Sequence, residues 1–445
     1  MSARGEIPNS DFRTQPIWWD ETPPSREPPQ ELAARSDVVV VGGGFAGLST
    51  ALELARHGLA VTLLEAEAFG FNASGRNSGG VSFGIDLTKV ARWHRRAGRA
   101  APGIADLARG AADSVSYMET FIAKNTIDCD YHRRGRLSCA PTPRHYDELA
   151  ARTDRLNKLF DAGAYMVSRA DQHTEIGSES FYGAMVVPRS GQLDPARLLR
   201  GLLALCRQAG VRLHDGMAVS RVERKPGGFD VILADGKKIT ADTVVVAINA
   251  HAANLPSAGL AQRIVPVASH IIVTEPLPPA TADALLPKRR TGADGRRLLA
   301  YFRRTPDGMR FLYGGRAAPF EVSPQESAAV LYRRMVKAFP QLDGTRIGHA
   351  WGCKVAFSFD GIPHVGGENG LYYIAGCNGN GVAMMNYLGY KVGRKIIEAS
   401  KSICVFDQPV FPSPPFYDGR PWFLPVVAAA YGALDRFDSM RAGRR

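Results

Sequence analysis

The chain holds 445 residues, 55 of them Lys or Arg against 43 Asp or Glu, for a formal net charge of +12, with 45% hydrophobic and 22% charged residues. That length implies about two or three globular domains, and the arginines, clustered only at Arg95-Arg96, Arg133-Arg134 and Lys288-Arg289-Arg290, carry no nucleic-acid motif, which leaves solubility or a mild pull on an anionic substrate as the use of the charge. Six cysteines without CxxC or CxxH spacing argue against a zinc site or redox pair, so no metal is expected, and the lack of a signal-type or membrane-spanning apolar run makes the cytoplasm the expected location.

Five prolines between Pro16 and Pro29 surround the Trp18-Trp19 pair. Such density argues against helix and ladder pairing, so residues 1–36 are expected to form an extended arm whose tryptophans pack on the chain's own surface. At residue 37 the texture changes. DVVVVGGGFAGLSTALELARHGLAVTLLE, residues 37–65, reads as a strand, a glycine turn, a helix and a second strand ending on Glu65. Gly42, Gly44 and Gly47 stand at GxGxxG spacing. The first permits a tight turn, the second lets backbone approach a pyrophosphate, and the third lets helix pack on strand, while the helix N-terminus faces the phosphates. Glu65, 23 positions after Gly42, is placed to take the hydroxyls of a ribose. The unit predicts a bound dinucleotide, with NAD and FAD equally allowed.

EAFGFNASGRNSGG, residues 67–80, has neither helical nor strand period and is expected to be a loop laying its N–H groups along the ligand. Amphipathic helices are expected over 87–127 and 143–162, with a short strand and an arginine-rich turn at 131–139 between them. Over 191–216, Asp194 caps a helix that Pro195 starts, Leu198, Leu202 and Leu205 face inward, and Gly210 stops it. Strands follow at 218–224, 229–233 and 243–248, with an Asp235-Gly236 turn between the second and a short partner. TVVVAI, 243–248, is apolar throughout and is expected to lie beside 38–41, buried on both faces of one parallel sheet.

From 263 to 316, alternating strands around a Pro306-Asp307-Gly308 turn predict a second, antiparallel domain. A helix at 324–339 is expected to return the chain to the first. Residues 371–375 read as a strand, and Gly376, Gly379 and Gly381 as a turn into a helix with Val382, Met385, Val392 and Ile396 on one face, a second anion site. A proline-rich tail then carries an apolar helix at 425–437, too short to span a bilayer and expected to dock on the enzyme body.

Taken together, residues 37–65, NASGRNSGG (72–80), TVVVAINAHAANL (243–255), IVPVASHIIVTEPL (264–277), FRRTPDGMRFLYGGR (302–316), WGCKVAFSFDGIPHVG (351–366) and YIAGCNGNGVAMM (373–385) span nearly the whole chain. In that order they resemble the FAD-dependent D-amino-acid oxidase (DAO) superfamily, and within it the amine-oxidase branch typified by gamma-glutamylputrescine oxidase, sarcosine oxidase and glycine oxidase. The resemblance implies an α/β fold (α+β overall) in discontinuous pieces: a Rossmann-like FAD-binding domain at 37–86, 185–260 and 345–405, an antiparallel-sheet substrate domain at 87–184 and 261–344, and a C-terminal tail at 406–445.

It further implies FAD as cofactor, with Gly42, Gly44, Phe45, Ala46 and Gly47 at the pyrophosphate and Glu65 on the adenosine ribose. Ser74, Gly75, Arg76 and Asn77 are expected along the pyrophosphate and flavin, Val219 at the adenine, and Asn249 at the cofactor-side strand end. Gly376, Gly379, Asn380, Gly381 and Val382 are expected at the pyrimidine edge of the flavin, where a helix N-terminus stabilises the charge of the reduced ring. The implied reaction is oxidation of the C–N bond of a primary or secondary amine or amino acid, by hydride transfer to flavin N5. The imine then hydrolyses, and O2 is the acceptor, giving H2O2. Two alternatives stay open: a dehydrogenase passing electrons to a quinone or carrier, and a flavin-holding subunit of a multi-component opine or amine oxidase. A small-molecule amine is the expected partner, and homo-oligomerisation stays open.

Substrate-site candidates come from the antiparallel sheet. His270 either holds the amine neutral or polarises oxygen, or is a hydrogen-bonded structural residue. Tyr301 and Arg303 start the hairpin and Arg316 ends it; either arginine is a candidate carboxylate clamp or a structural ion pair. Lys354 is a cation near the flavin or a surface lysine. Cys353, seven residues before Asp360, stands where sarcosine oxidases link covalently to the flavin, the alternative being a buried free thiol and non-covalent FAD.

Overall fold

The computed structural model describes residues 8–83, 85, 90, 103–255, 259–400, 404–408 and 411–442. Two sheets organise them. The first has eight strands, ordered Val219–Lys225, Gly228–Leu233, Lys238–Val246, Arg35–Val41, Val61–Leu64 and Arg212–His214, with Leu371–Ala375 also on Lys238–Val246 and His364–Glu368 beyond it. Lys238–Val246 changes partners midway. Its first half ladders antiparallel with Gly228–Leu233 and its second runs parallel with Leu371–Ala375, while its other edge runs parallel to Arg35–Val41, Val38 against Thr243. The short partner expected after Asp235-Gly236 and the strand expected at 243–248 are therefore one nine-residue strand. Val38, Val39, Val40 and Val244 to Val246 are at most 1% exposed, as a continuous apolar run buried on both faces requires.

Two glycine-led helices, Phe45–Arg56 and Gly381–Glu398, lie side by side against this sheet. Gly389 makes the approach possible: a Cβ there would stand 2.3 Å from the Ala46 carbonyl oxygen, and Thr50 Oγ1 donates to both the Ala46 and Gly389 carbonyls. A Cβ at Gly393 would in turn meet Glu53, so the two helices run in the same direction.

The second sheet has nine strands, ordered Pro8–Arg13, Ile347–Ser358, Ile264–Thr274, Phe311–Gly315, Ala300–Arg304, Thr291–Asp294, Arg136–Cys139, Ala184–Val187 and Tyr165–Val167. Its pairings are antiparallel except at Pro8–Arg13 with Ile347–Ser358 and at Thr291–Asp294 with Arg136–Cys139. Two segments assigned from sequence to the first domain pair here instead: Ala184–Val187, and Ile347–Ser358, which ladders along the whole of Ile264–Thr274. The helix Pro324–Ala338 does not return the chain to the first sheet. Leu331 and Met335 pack against Ile272, Tyr313 and Ala350 of the second, so the strand that follows stays in it.

The N-terminal arm departs from expectation in one respect. Residues 8–13 form an edge strand, and Ile17–Asp20 makes one 3-10 turn, because the dense prolines begin only at Pro16. The tryptophans do pack on the chain itself: Trp18 is buried with Nε1 donating to the Asn77 carbonyl at 2.9 Å, and Trp19 stacks on Phe71. Within 67–80 the chain folds into a short helix, Ala73–Arg76, followed by a strand at Gly80–Val81, both too short to show a period.

The helix Ile104–Lys124 realises the described part of the helix expected at 87–127; residues 86–89 and 91–102, with the Arg95-Arg96 cluster, lie outside the described residues. Pro143–Phe160 and Pro195–Gln208 form as expected, the latter capped by Asp194 Oδ1 on the Ala196 and Arg197 N–H groups at 2.9 and 3.0 Å. The last helix, Leu424–Ala442, has no buried residue and docks through charge, Arg297 binding Asp435 at 2.9 Å and Asp438 at 2.7 Å. Among the described residues no helix is long and apolar enough to cross a membrane.

Candidate active site

Helix starts leave N–H groups without intrahelical partners, and the chain treats its helices in two ways. Pro143–Phe160, Pro195–Gln208 and Pro324–Ala338 are capped by Thr142, Asp194 and Ser323. The two glycine-led helices carry no cap from their own N-cap residue, as is also true of Ala73–Arg76, Ile104–Lys124 and Pro279–Leu285, but Phe45, Ala46, Gly47, Val382 and Ala383 at their starts are buried. Ser74 Oγ accepts from the Phe45 N–H at 3.1 Å. Because Ala46, one residue into its helix, lies level with Gly389, eight residues into the other, the two starts are offset by about 10 Å along the helix axis. That exceeds one phosphate and suits an extended dinucleotide. The donor set therefore fits FAD, with one positive helix end for a pyrophosphate and a second for an electron-rich ring edge.

Each helix start is built by glycines that no other residue replaces. Gly42 has φ +106°, and a Cβ on Gly47 would stand 1.9 Å from the Gly42 carbonyl oxygen. Glu65 accepts from the Gly43 N–H at 2.7 Å and the Glu67 N–H at 3.1 Å; burial raises its carboxyl against those two bonds. Val219 comes beside Glu65 because the Met217 N–H donates to the Glu65 carbonyl at 2.8 Å. At the other end Asn249, with φ +47°, accepts from the Gly376 N–H at 3.0 Å and ties the two strand ends together. Gly376 and Gly379 both have positive φ, and Asn380 accepts from Ser82 Oγ at 2.9 Å.

Arg76 and Asn77 are engaged in holding the 72–80 segment. Arg76 donates to the Phe71 carbonyl at 2.5 Å and the Gly352 carbonyl at 3.0 Å, with its guanidinium against both rings of the Trp19–Phe71 stack. Asn77 binds the Ala73 and Ser74 carbonyls and the Gly79 N–H. Gly75 abuts the Gly70 carbonyl, 2.1 Å from where a Cβ would stand.

Alternation along the strands of the second sheet divides the remaining candidates. Ser269 pairs with Cys353 and Ile271 with Trp351 and Gly314, which pairs with Tyr301. These residues share one face. It turns to the 72–80 segment, since Trp351 Nε1 donates to the Arg76 carbonyl at 2.8 Å. Tyr301 and Ser269 exchange a hydrogen bond at 3.0 Å, and burial raises the phenol. Burial also pushes the Cys353 thiol up to about 12. Arg316 leaves the end of its strand to lie 5.1 Å over the Phe357 ring, and Phe357 is 3.8 Å from the Cβ position of Gly379. Burial lowers the Arg316 guanidinium.

His270 and Lys354 project from the opposite face. His270 pairs with Gly315 and Gly352, is 2% exposed, accepts from the Ala317 N–H through Nδ1 at 3.4 Å, and is held neutral by burial. Lys354 pairs with Glu321 at 3.1 Å. Arg303 lies on the Tyr301 face, with Nε and Nη1 donating to the carbonyls of Arg304, Ser78 and Leu193, the guanidinium facing Trp18 and Nη2 buried without a hydrogen-bond partner. Sequence reasoning missed Ser269, Phe357, Ser82 and Arg136. Strand alternation would have separated Ser269 from His270; Arg136 was hidden in what read as an arginine-rich turn.

Comparison with known proteins agrees with this architecture. The family described as FAD dependent oxidoreductase, DAO, matches residues 37–394. The chain is 30% identical over 404 residues to the probable oxidoreductase OrdL of Haemophilus influenzae, covering 88% of this chain and 90% of that one. It is 29% identical over 407 residues to gamma-glutamylputrescine oxidoreductase of Escherichia coli, covering 89% and 92%. The crystal structure of glycine oxidase from Geobacillus kaustophilus superposes with a TM-score of 0.71 at 22% identity, covering 86% of this chain and 99% of that one, and shares the fold. The chain belongs to the DAO family of FAD dependent oxidoreductases.

Proposed function

We propose that this protein oxidises the C–N bond of an amine or amino acid bearing a carboxylate, with O2 as electron acceptor and FAD held without a covalent bond. One observation carries the reading: Arg316, a guanidinium with no ion pair among the described residues, lies over Phe357 beside the glycine turn at Gly379, on the sheet face that also carries Tyr301 and Cys353. A cation in that position clamps an anionic group of a substrate. The names of gamma-glutamylputrescine oxidoreductase and glycine oxidase, both for nitrogen-bearing substrates, support it.

When bound, FAD supplies the two-electron acceptor for the hydrogen on the carbon next to nitrogen. Gly42, Gly44, Phe45, Ala46 and Gly47 offer N–H groups to the pyrophosphate, Glu65 takes a ribose, and Val219 lies at the adenine. Ser74, Gly75, Arg76, Asn77 and Asn249 line the course of the cofactor, and Gly376, Gly379, Asn380, Gly381 and Val382 receive the ring edge. Arg316 orients the substrate carboxylate, and the Tyr301 hydroxyl, positioned by Ser269, donates to it or to the amine. His270 and Lys354, on the far face, bind neither. Cys353 remains a neutral thiol, because a thiol that burial holds near 12 offers almost no thiolate to attack a flavin.

The test is reduction in the absence of air. Purified yellow protein is expected to bleach near about 450 nm with a carboxylate-bearing amine and to recover in air with stoichiometric H2O2. Bleaching without H2O2 would replace the oxidase by a dehydrogenase.

A further inference from the structure

Among the described residues, the neighbouring half-buried arginines Arg136 and Arg152 make no ion pair. Arg136 stands on the strand Arg136–Cys139; Ser138 pairs with Ala293, and Ala293 with Tyr301. Arg136, two positions from Ser138, therefore projects from the Tyr301 face. Its Nη1 reaches Ser82 Oγ at 3.1 Å and Asn380 Oδ1 at 3.4 Å. Both partners are neutral, and Asn380 opens the second glycine helix. Burial and the neighbouring like charge of Arg152 lower Arg136 to about 10. Arg152, on Pro143–Phe160, has a buried Nε without a hydrogen-bond partner. Among the described residues no carboxylate bonds to either guanidinium.

The surrounding chain supplies carboxylates freely elsewhere. Arg133 is held by Glu119, and Lys288 and Arg290 share Glu175. Partly burying a guanidinium beside a like charge is costly without an anion near it. Arg136 nevertheless keeps accessible surface, which an anion from outside can meet. Arg316 approaches the same glycine turn from the other side, through Phe357 and Gly379. The strands that carry the two arginines are three steps apart in the sheet, about 14 Å, room for a molecule with its reacting C–N bond between two acid groups.

We propose that Arg136 binds a second carboxylate of the substrate, so that the preferred substrate is an amine with two acid groups, one at Arg316 and one at Arg136. This rests on the amine oxidation proposed above. The FAD-loaded enzyme is mixed without air with N-(carboxymethyl)glycine, N-(2-carboxyethyl)glycine or N-(3-carboxypropyl)glycine, and with the monoacid N-butylglycine. At least one diacid is expected to reduce the flavin with an apparent second-order rate constant at least about tenfold above that of the monoacid. Arg136→Gln is expected to abolish that ratio and Arg136→Lys to restore part of it. In parallel, unreactive glutarate is titrated against the visible flavin spectrum. Its Kd is expected to rise about tenfold or more in Arg136→Gln at equal FAD content.

Equal use of diacids and monoacids by the wild type would overturn the proposal. So would an Arg136→Gln variant that slows both classes by the same factor and shifts the flavin reduction potential, which would assign the guanidinium to the cofactor. If no amine reduces the flavin, the proposed function fails, while the glutarate titration still decides whether Arg136 binds a carboxylate.

Discussion

The two sheets use their side chains in different ways. In the eight-stranded sheet Val38 to Val40 and Val244 to Val246 are buried on both faces, so the proposed cofactor residues Gly42, Glu65, Asn249 and Gly376 sit at strand ends. In the nine-stranded sheet the proposed site uses one face of a strand: Ser269 and Cys353 lie on the face of Tyr301, His270 and Gly352 on the opposite one. A strand-end site tolerates a one-residue error of reading. A face site is inverted by it.

The strand-end half of that contrast predicts the largest effects. Gly47→Ala puts a Cβ 1.9 Å from the Gly42 carbonyl oxygen, and a loss of about 3–5 kcal/mol is expected, measurable as poor soluble yield and early melting. A Cβ at Gly44 would meet only Ser74, its Oγ 2.9 Å away, so Gly44→Val disturbs little of the fold. It should fold, with native circular dichroism, yet bind FAD on the order of 100-fold more weakly and purify colourless. Full flavin content in that variant would remove the pyrophosphate from this turn.

The face-site half predicts smaller and divided effects. Arg303→Ala strips three backbone carbonyls of their donor and should cost about 2–4 kcal/mol of stability in urea, because this arginine is structural. Arg316→Leu should leave stability nearly intact and raise KM for a carboxylate substrate about 100-fold. His270→Gln, on the opposite face, should change the rate of flavin bleaching by less than about twofold. A large loss of rate in His270→Gln with normal folding would break the contrast between the faces.

Cys353 gives the smallest effect. Acid precipitation should leave the flavin in the supernatant for wild type and Cys353→Ser alike. A thiol raised to about 12 is neutral below that value, so alkylation of the Cys353 peptide should climb about tenfold per pH unit past the range where free thiols, near about 8.5, level off.

How much could be read without coordinates follows the same division. The βαβ unit at 37–65 and the turn at 376–381 were legible because their signals are local: glycine spacing, a helix period and a terminal acid within one short stretch. Asp194 and Pro195 announced their helix in the same way. Arg136, Ser269 and Phe357 were not legible, because their use depends on strand pairing between distant segments and on which face each residue takes. Ile347–Ser358 was placed with the wrong sheet for a related reason. An alternating apolar strand states its period but not its partner, and only the ladder to Ile264–Thr274 assigns it. The edge strand Pro8–Arg13 was hidden by the proline-rich sequence that follows it.

In the proposed site the starts of the two glycine-led helices seat FAD beneath a sheet face that presents an amine for oxidation. Its most direct test is anaerobic titration of the purified holoprotein with carboxylate-bearing amines, following flavin absorbance near about 450 nm. The expected result is complete bleaching by at least one such amine, slowed in Arg316→Leu and unchanged in His270→Gln. A flavin that dithionite bleaches but no amine reduces, or one that Arg316→Leu and wild type reduce at the same rate, would contradict it.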